Sequence, residues 1–141
     1  ALIGLGHLRI RKDGILEYSQ LMSGANSLLE SAAGLGDIAL IDKTFASAGG
    51  APTTATPKAG YVFSVLTSQG ASAAGGSRSY IINSNMTAGY GLSACAQSYD
   101  GTGRNSFMIN SAGTIYQRDR TSSVVVHETT FNPDTNWIPT E

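Results

Sequence analysis

A single cysteine among 141 residues excludes an internal disulfide, and no Cys-x-x-Cys-His motif is present to attach a c-type haem. Charge is scarce as well. Only 13% of residues are charged, against about 25% in a typical globular domain. The net charge of −1 and a pI near 6.1 argue against a nucleic-acid binder, which carries a basic patch. No apolar run approaches the roughly 20 residues that span a bilayer. Histidine is limited to His7 and His127, the only imidazole bases on offer, and no Gly-x-Ser-x-Gly nucleophile motif accompanies them. Enzymatic activity is not expected. EF-hand and zinc spacings are missing too, so Asp119, His127, Glu128 and Asp134 read as a solvated tail, and no metal or cofactor is implied. The sequence starts at Ala1 with neither Met nor signal peptide, which reads as a mature product or a trimmed chain.

What the chain has in quantity is Ser, Thr, Gly, Ala and Asn around short β-prone runs. The clearest strand is 61–68. Tyr61, Phe63, Val65 and Thr67 alternate with Val62, Ser64, Leu66 and Ser68, and Gly60 and the Gly-Ala-Ser run from 70 bound it. Strands are also predicted at 79–83, 90–98, 104–110 and 114–118, with turns at 100–103 and 110–113. Cys95 falls inside one of them and reads as a small buried hydrophobe. Val124, Val125 and Val126 form a last β-prone run, and Trp137 is expected to pin the tail.

The N-terminal third is less regular. Residues 7–18 read as a hairpin around Asp13-Gly14. The competing helix, with Leu8, Ile15 and Met22 at heptad spacing, would carry Gly14 at a cost of about 1 kcal/mol. Short helices are predicted over 26–34, capped by Asn26 or Ser27, and over 37–45, capped by Asp37. Residues 46–59 read as a loop, in which Thr53, Thr54 and Thr56 are possible sugar acceptors. Asn85-Met86-Thr87 matches a glycosylation sequon. The expected architecture is one α+β domain, an antiparallel sheet of at least four strands with short N-terminal helices.

Taken in order, several of these pieces resemble the globular head of type IV pilins and type II secretion pseudopilins. They are Ala39-Leu40-Ile41-Asp42 running to Ala46-Ser47, Gly60-Tyr61-Val62-Phe63, the strand opening at Tyr90, Gly101-Thr102-Gly103-Arg104-Asn105-Ser106-Phe107 and Gly113-Thr114-Ile115. The likeness covers about residues 24–119. Asn105 and Asn110 depart from it, the second standing where an Asp is usual. The larger departure is the long apolar N-terminal helix that anchors such subunits. Residues 1–16 are too short and too broken by glycine to supply it. Either that helix has been trimmed away or it is a separate polypeptide, and the basic hairpin-like segment favours the second.

The resemblance implies a structural role, the surface-exposed head of a pilus or pseudopilus filament in the periplasm or outside the cell. The implied partners are a small helical pilin chain carrying the membrane anchor and neighbouring copies in the filament. Membrane association then runs only through that partner. The segment expected to touch it is the apolar arm Leu2, Ile3, Leu5, Leu8 and Ile10. Such a patch near a terminus is awkward when exposed, although the arm also has the option of folding back on its own sheet. The alternative from another class is an extracellular binding module, an adhesin or carbohydrate binder, built on the same sheet.

Overall fold

The computed structural model describes residues 9–10, 14–23, 27–30, 38–39, 41–50, 54–121 and 126–140. The first described elements, β1 (Arg9–Ile10) and β2 (Leu16–Glu17), pair antiparallel, with Ile10 opposite Leu16. Gly14 takes φ +79°, a left-handed conformation that any Cβ would strain, so it marks a turn and the heptad helix is ruled out. β2 is tied to the rest of the protein. The Tyr18 N–H donates to the Met86 carbonyl (2.8 Å), and buried Glu17 Oε2 accepts from the Met86 N–H (2.9 Å).

Both expected helices need correction. Within 26–34 the described residues form a strand, β4 (Ser27–Glu30), parallel to β3 (Leu21–Ser23) and antiparallel to β5 (Ile38–Ala39). A nine-residue helix is marginal on its own, whereas this backbone finds ladder partners on both sides. Ser27, one of the two residues expected to cap that helix, is instead fully buried in the strand. The second helix starts later than predicted, because Ile38 and Ala39 are held in the ladder opposite Glu30 and Leu29. It is the five-residue α1 (Lys43–Ser47). Its N-cap is Asp42 rather than Asp37. Asp42 is extended, and its Oδ1 accepts the Phe45 N–H at 2.8 Å.

The predicted leading strand is β6 (Tyr61–Leu66). The chain then breaks at Thr67. β7 (Ser68–Gln69) pairs with β8 (Arg78–Ser79), and β9 (Ile81–Ile82) turns into β10 (Asn85–Met86). β11 (Gly91–Ala96), β12 (Asn105–Asn110), β13 (Tyr116–Asp119) and β14 (Ile138–Pro139) follow. The main sheet runs β14-β13-β12-β11-β6, antiparallel throughout. Four of the five predicted strands are therefore in this sheet, three with trimmed ends and β13 shifted toward the C-terminus, while the fifth, 79–83, is divided between β8 and β9 outside it. β14 is an addition, and β6 is an outer strand of the sheet. The Val124–Val126 run falls largely outside the described residues; Val126 itself is irregular and exposed.

Alternation sends side chains to two faces. On the first, Phe63, Val65, Leu92 and Ile109 pack with Met22, Ile41, Phe45 and Ala46 from β3 and the α1 region. On the second, Leu66, Met108 and Tyr116 pack with Ala73, Phe131 and Trp137, while Val62 and Cys95 pack with Ala55. The sheet is thus apolar on both sides. Trp137 is buried at 6% exposure, as expected of a tail anchor, with the Arg118 guanidinium 5.9 Å from its ring centre.

Candidate functional site

Among the described residues, the first face is only partly covered. α1 and β3 pack on the end of the sheet near Val65, Leu92 and Ile109. Beside them lies a groove of about 500 Å³. The register explains its shape. Ala94 stands between Phe63 on β6 and Phe107 on β12, so a small residue is flanked by two rings. Tyr61 closes the far end, its ring reaching across β11 to Phe107 with 5.9 Å between centres. Leu92 and Ile109 form the end nearest α1, and Ile115 and Thr140 complete the lining from the β13–β14 side. Among the lining residues few carry polar side chains: Lys58, Tyr61, Thr140 and Ser93, and the Ser93 hydroxyl is engaged with the Ser64 and Glu128 carbonyls.

Lys58 is held at the rim. Its Nζ lies 2.7 Å from Asp42 Oδ2 and 3.0 Å from Thr44 Oγ1, and 5.7 Å from the Phe45 ring centre. Phe45 in turn tilts on Phe63, with centres 4.6 Å apart. The Asp42 carboxyl is held far below the usual carboxylate range by the Lys58 hydrogen bond, helped by Thr44 and the Phe45 N–H. One charged cluster therefore caps α1 and fixes the groove's wall.

A second set of side chains sits on the opposite face. Cys95 Sγ is 3.5 Å from His127 Nδ1, and His127 Nε2 is 2.8 Å from the Gly50 carbonyl oxygen. Arg120 bonds Glu128, donates to Ser106 Oγ (3.1 Å) and donates to the Val126 carbonyl (2.9 Å). Burial pushes the Cys95 thiol up to about 11 and lowers His127. A buried thiol of that acidity is a poor nucleophile at neutral pH.

A family model described as a protein of unknown function (DUF2950) matches residues 28–139. The chain belongs to the DUF2950 family. No curated protein and no solved structure matches it. The DUF2950 span takes in all five strands of the main sheet, and with them both walls of the groove and the Cys95–His127 pair.

Of the arm expected to dock on a partner, Leu2, Ile3, Leu5 and Leu8 lie outside the described residues, and Ile10 is placed in β1 opposite Leu16. The four metal-capable residues of the tail are not brought together. Asp119 accepts from the Tyr99 hydroxyl and the Thr121 N–H, Glu128 pairs with Arg120, His127 meets Cys95 and Gly50, and Asp134 accepts from Asn136. Among the described residues no three His, Cys, Asp or Glu side chains gather at metal distance. The sequon is folded inward: Asn85 is 7% exposed and its Nδ2 donates to the Asn83 carbonyl. Thr54 and Thr56 are exposed in their loop, and Thr53 is outside the described residues. Asn110, the departure at the hairpin, accepts from the Ala112 N–H through Oδ1 and donates through Nδ2 to the buried Tyr80 hydroxyl. An aspartate would lack that amide donor.

The groove was not visible in the sequence. Phe63, Ala94 and Phe107 are about 13 to 44 positions apart, and alternation alone reads all three as core. Only the strand order places them side by side on an uncovered surface.

Proposed function

We propose that this chain is the head subunit of a pilus or pseudopilus filament, seated through its open sheet face on a helix contributed by a separate small pilin chain. The observation that carries the reading is the apolar trough along β11, with Ala94 as its floor and aromatic walls on both sides. A sheet with an apolar face needs a covering layer. A helix laid along the trough supplies one, with small residues of the sheet admitting its side chains. The ordered motifs of the pilin-head resemblance support the same reading, and the N-terminal arm, Leu2 to Ile10, is the second contact proposed for the partner.

A carbohydrate-binding module fits the groove less well. Sugars stack on aromatic rings but also need several hydrogen-bonding groups, and Lys58, Thr140 and the Tyr61 hydroxyl are few.

Co-expression with the small helical pilin chain tests the reading, using negative-stain microscopy for fibres and co-purification for pairing. Filling the trough with Ala94→Trp is expected to abolish co-purification while leaving the isolated chain folded by circular dichroism. Removing residues 1–10 is expected to weaken pairing to a lesser degree. Undiminished yield with Ala94→Trp defeats groove docking, and the absence of fibres with either chain pair defeats the filament.

A further inference from the structure

Cys95 and His127 take no part in the groove, yet their geometry specifies the protonation of three atoms. A backbone carbonyl only accepts, so the contact with Gly50 places the hydrogen of His127 on Nε2. Nδ1 is then a lone pair facing Cys95 Sγ at 3.5 Å, and the thiol is the donor. The neutral imidazole and the neutral thiol hold each other.

His127 belongs to a segment that crosses the second face of the sheet. The segment is fastened at its far end by backbone bonds indifferent to mild acid. The Phe131 N–H donates to the Ser68 carbonyl, and the Gly70 N–H donates to the Phe131 carbonyl, each at 2.9 Å. Phe131 is also buried. At its near end most ties run to ionic or titratable groups: His127 to Gly50 and Cys95, Glu128 to Arg120, and the Val126 carbonyl to Arg120; a neutral bond there, from the Ser93 hydroxyl to the Glu128 carbonyl, is long at 3.4 Å.

We propose that residues 126–128 are an acid-released strap over Cys95, opened when His127 takes a second proton. That proton would sit on Nδ1 and confront the thiol hydrogen, removing the acceptor Cys95 uses. It would also add a positive charge beside Arg120. The titratable or charged groups facing the imidazole, among the described residues, are Cys95 from β11, Arg120 beyond β13 and Glu128 from the strap itself. Glu128 is the only carboxylate among them, and it is already engaged by Arg120. Burial, with Arg120 adding to it, lowers His127 from its ordinary 6.5. The closed strap is therefore favoured above that value and loses the preference as pH falls through the folded one. Opening on this side also frees the Gly50 carbonyl, next to the Gly49 bridge with Phe63.

The thiol reports the opening. The rate of Cys95 with 4,4′-dithiodipyridine, a reagent active in acid, is measured from about pH 7.5 to about pH 5 and divided at each pH by that of the urea-unfolded protein. The normalised rate is expected to rise as pH falls, by about tenfold for each pH unit separating the folded His127 value from 6.5. His127→Gln retains a donor for Gly50 but cannot gain a proton, and its normalised rate is expected to be flat. Trp137 fluorescence serves as the check that the fold persists over the range. A flat wild-type profile, or the same slope in His127→Gln, overturns the proposal. So does a wild-type rise that accompanies loss of the Trp137 signal, since that is global unfolding. An independent readout is the imidazole spectrum by NMR, with His7→Gln leaving one histidine to follow. A ring protonated on Nδ1 rather than Nε2 at neutral pH contradicts the geometry.

Discussion

The two faces of the main sheet are built from the same strands and finished differently. β11 gives Leu92 and Ala94 to the first face and Ser93 and Cys95 to the second. On the second face the chain returns to cover itself. Phe131 and Trp137 close over Leu66 and Met108, and Tyr80, fully buried, links Gln69 Oε1 (3.0 Å) to Asn110 Nδ2 (3.3 Å). On the first face α1 and β3 cover one end, and among the described residues Tyr61, Phe63, Ala94 and Phe107 stay along an open trough. Apolar composition alone therefore does not separate a covered face from an open one. What separates them is whether the chain supplies its own lid, and with what polar bonds it is fastened.

The sharpest way to break this contrast is to delete equivalent aromatic rings from each side. Phe131→Ala on the closed face is expected to cost about 3–5 kcal/mol in urea unfolding, the range for a fully buried ring. Phe107→Ala on the open face, where the ring is half-buried, is expected to cost about 1–2 kcal/mol. Equal losses would mean that the first face is as much core as the second. A smaller effect tests the fastening of the closed face. Tyr80→Phe strands the Gln69 and Asn110 groups that its hydroxyl satisfies, and should cost about 1–3 kcal/mol by the same measurement.

Acid sharpens the comparison further, because each face has its own titrating group. His127 on the closed face has a depressed pKa, so its stabilising contribution is complete above 6.5 and declines below it. Asp42, which caps α1 beside the open face, also has a depressed pKa. Its contribution is complete above the ordinary carboxyl value of 3.8 and is lost only as pH falls below that, toward the folded value. A pH series of unfolding midpoints should show two separate windows. His127→Gln removes the upper one and Asp42→Asn the lower. Asp42 is exposed, so its window is the smallest effect expected here.

How much of this was legible in the sequence follows from how local each signal is. The strands at 61–68, 90–98, 104–110 and 114–118 were readable because alternation between glycine-rich turns is a local pattern. Cys95 and Trp137 were read as buried from residue type, and both are. Residues 27–30 were misread because their partners, β3 and β5, are strands of two or three residues with no periodicity of their own. Residue type alone makes Asp37 and Asp42 equal candidates for the cap, and the bond from Asp42 to Lys58, sixteen positions away, is not visible in a local pattern. The Cys95–His127 contact spans 32 positions and crosses two elements, so no spacing rule announces it. The groove is the extreme case, since its shape depends on where the described residues leave the sheet open.

The central claim is that the open face is a docking face for a partner helix, and radical footprinting tests it most directly. The chain is exposed to hydroxyl radicals alone and in complex with the small helical pilin chain, and oxidation of individual side chains is read by mass spectrometry. The account predicts strong protection of Tyr61, Phe63 and Phe107 in the complex and no change at Phe131 or Trp137, which are buried in both states. A complex that forms while Phe107 and Phe63 remain as reactive as in the free chain would contradict it.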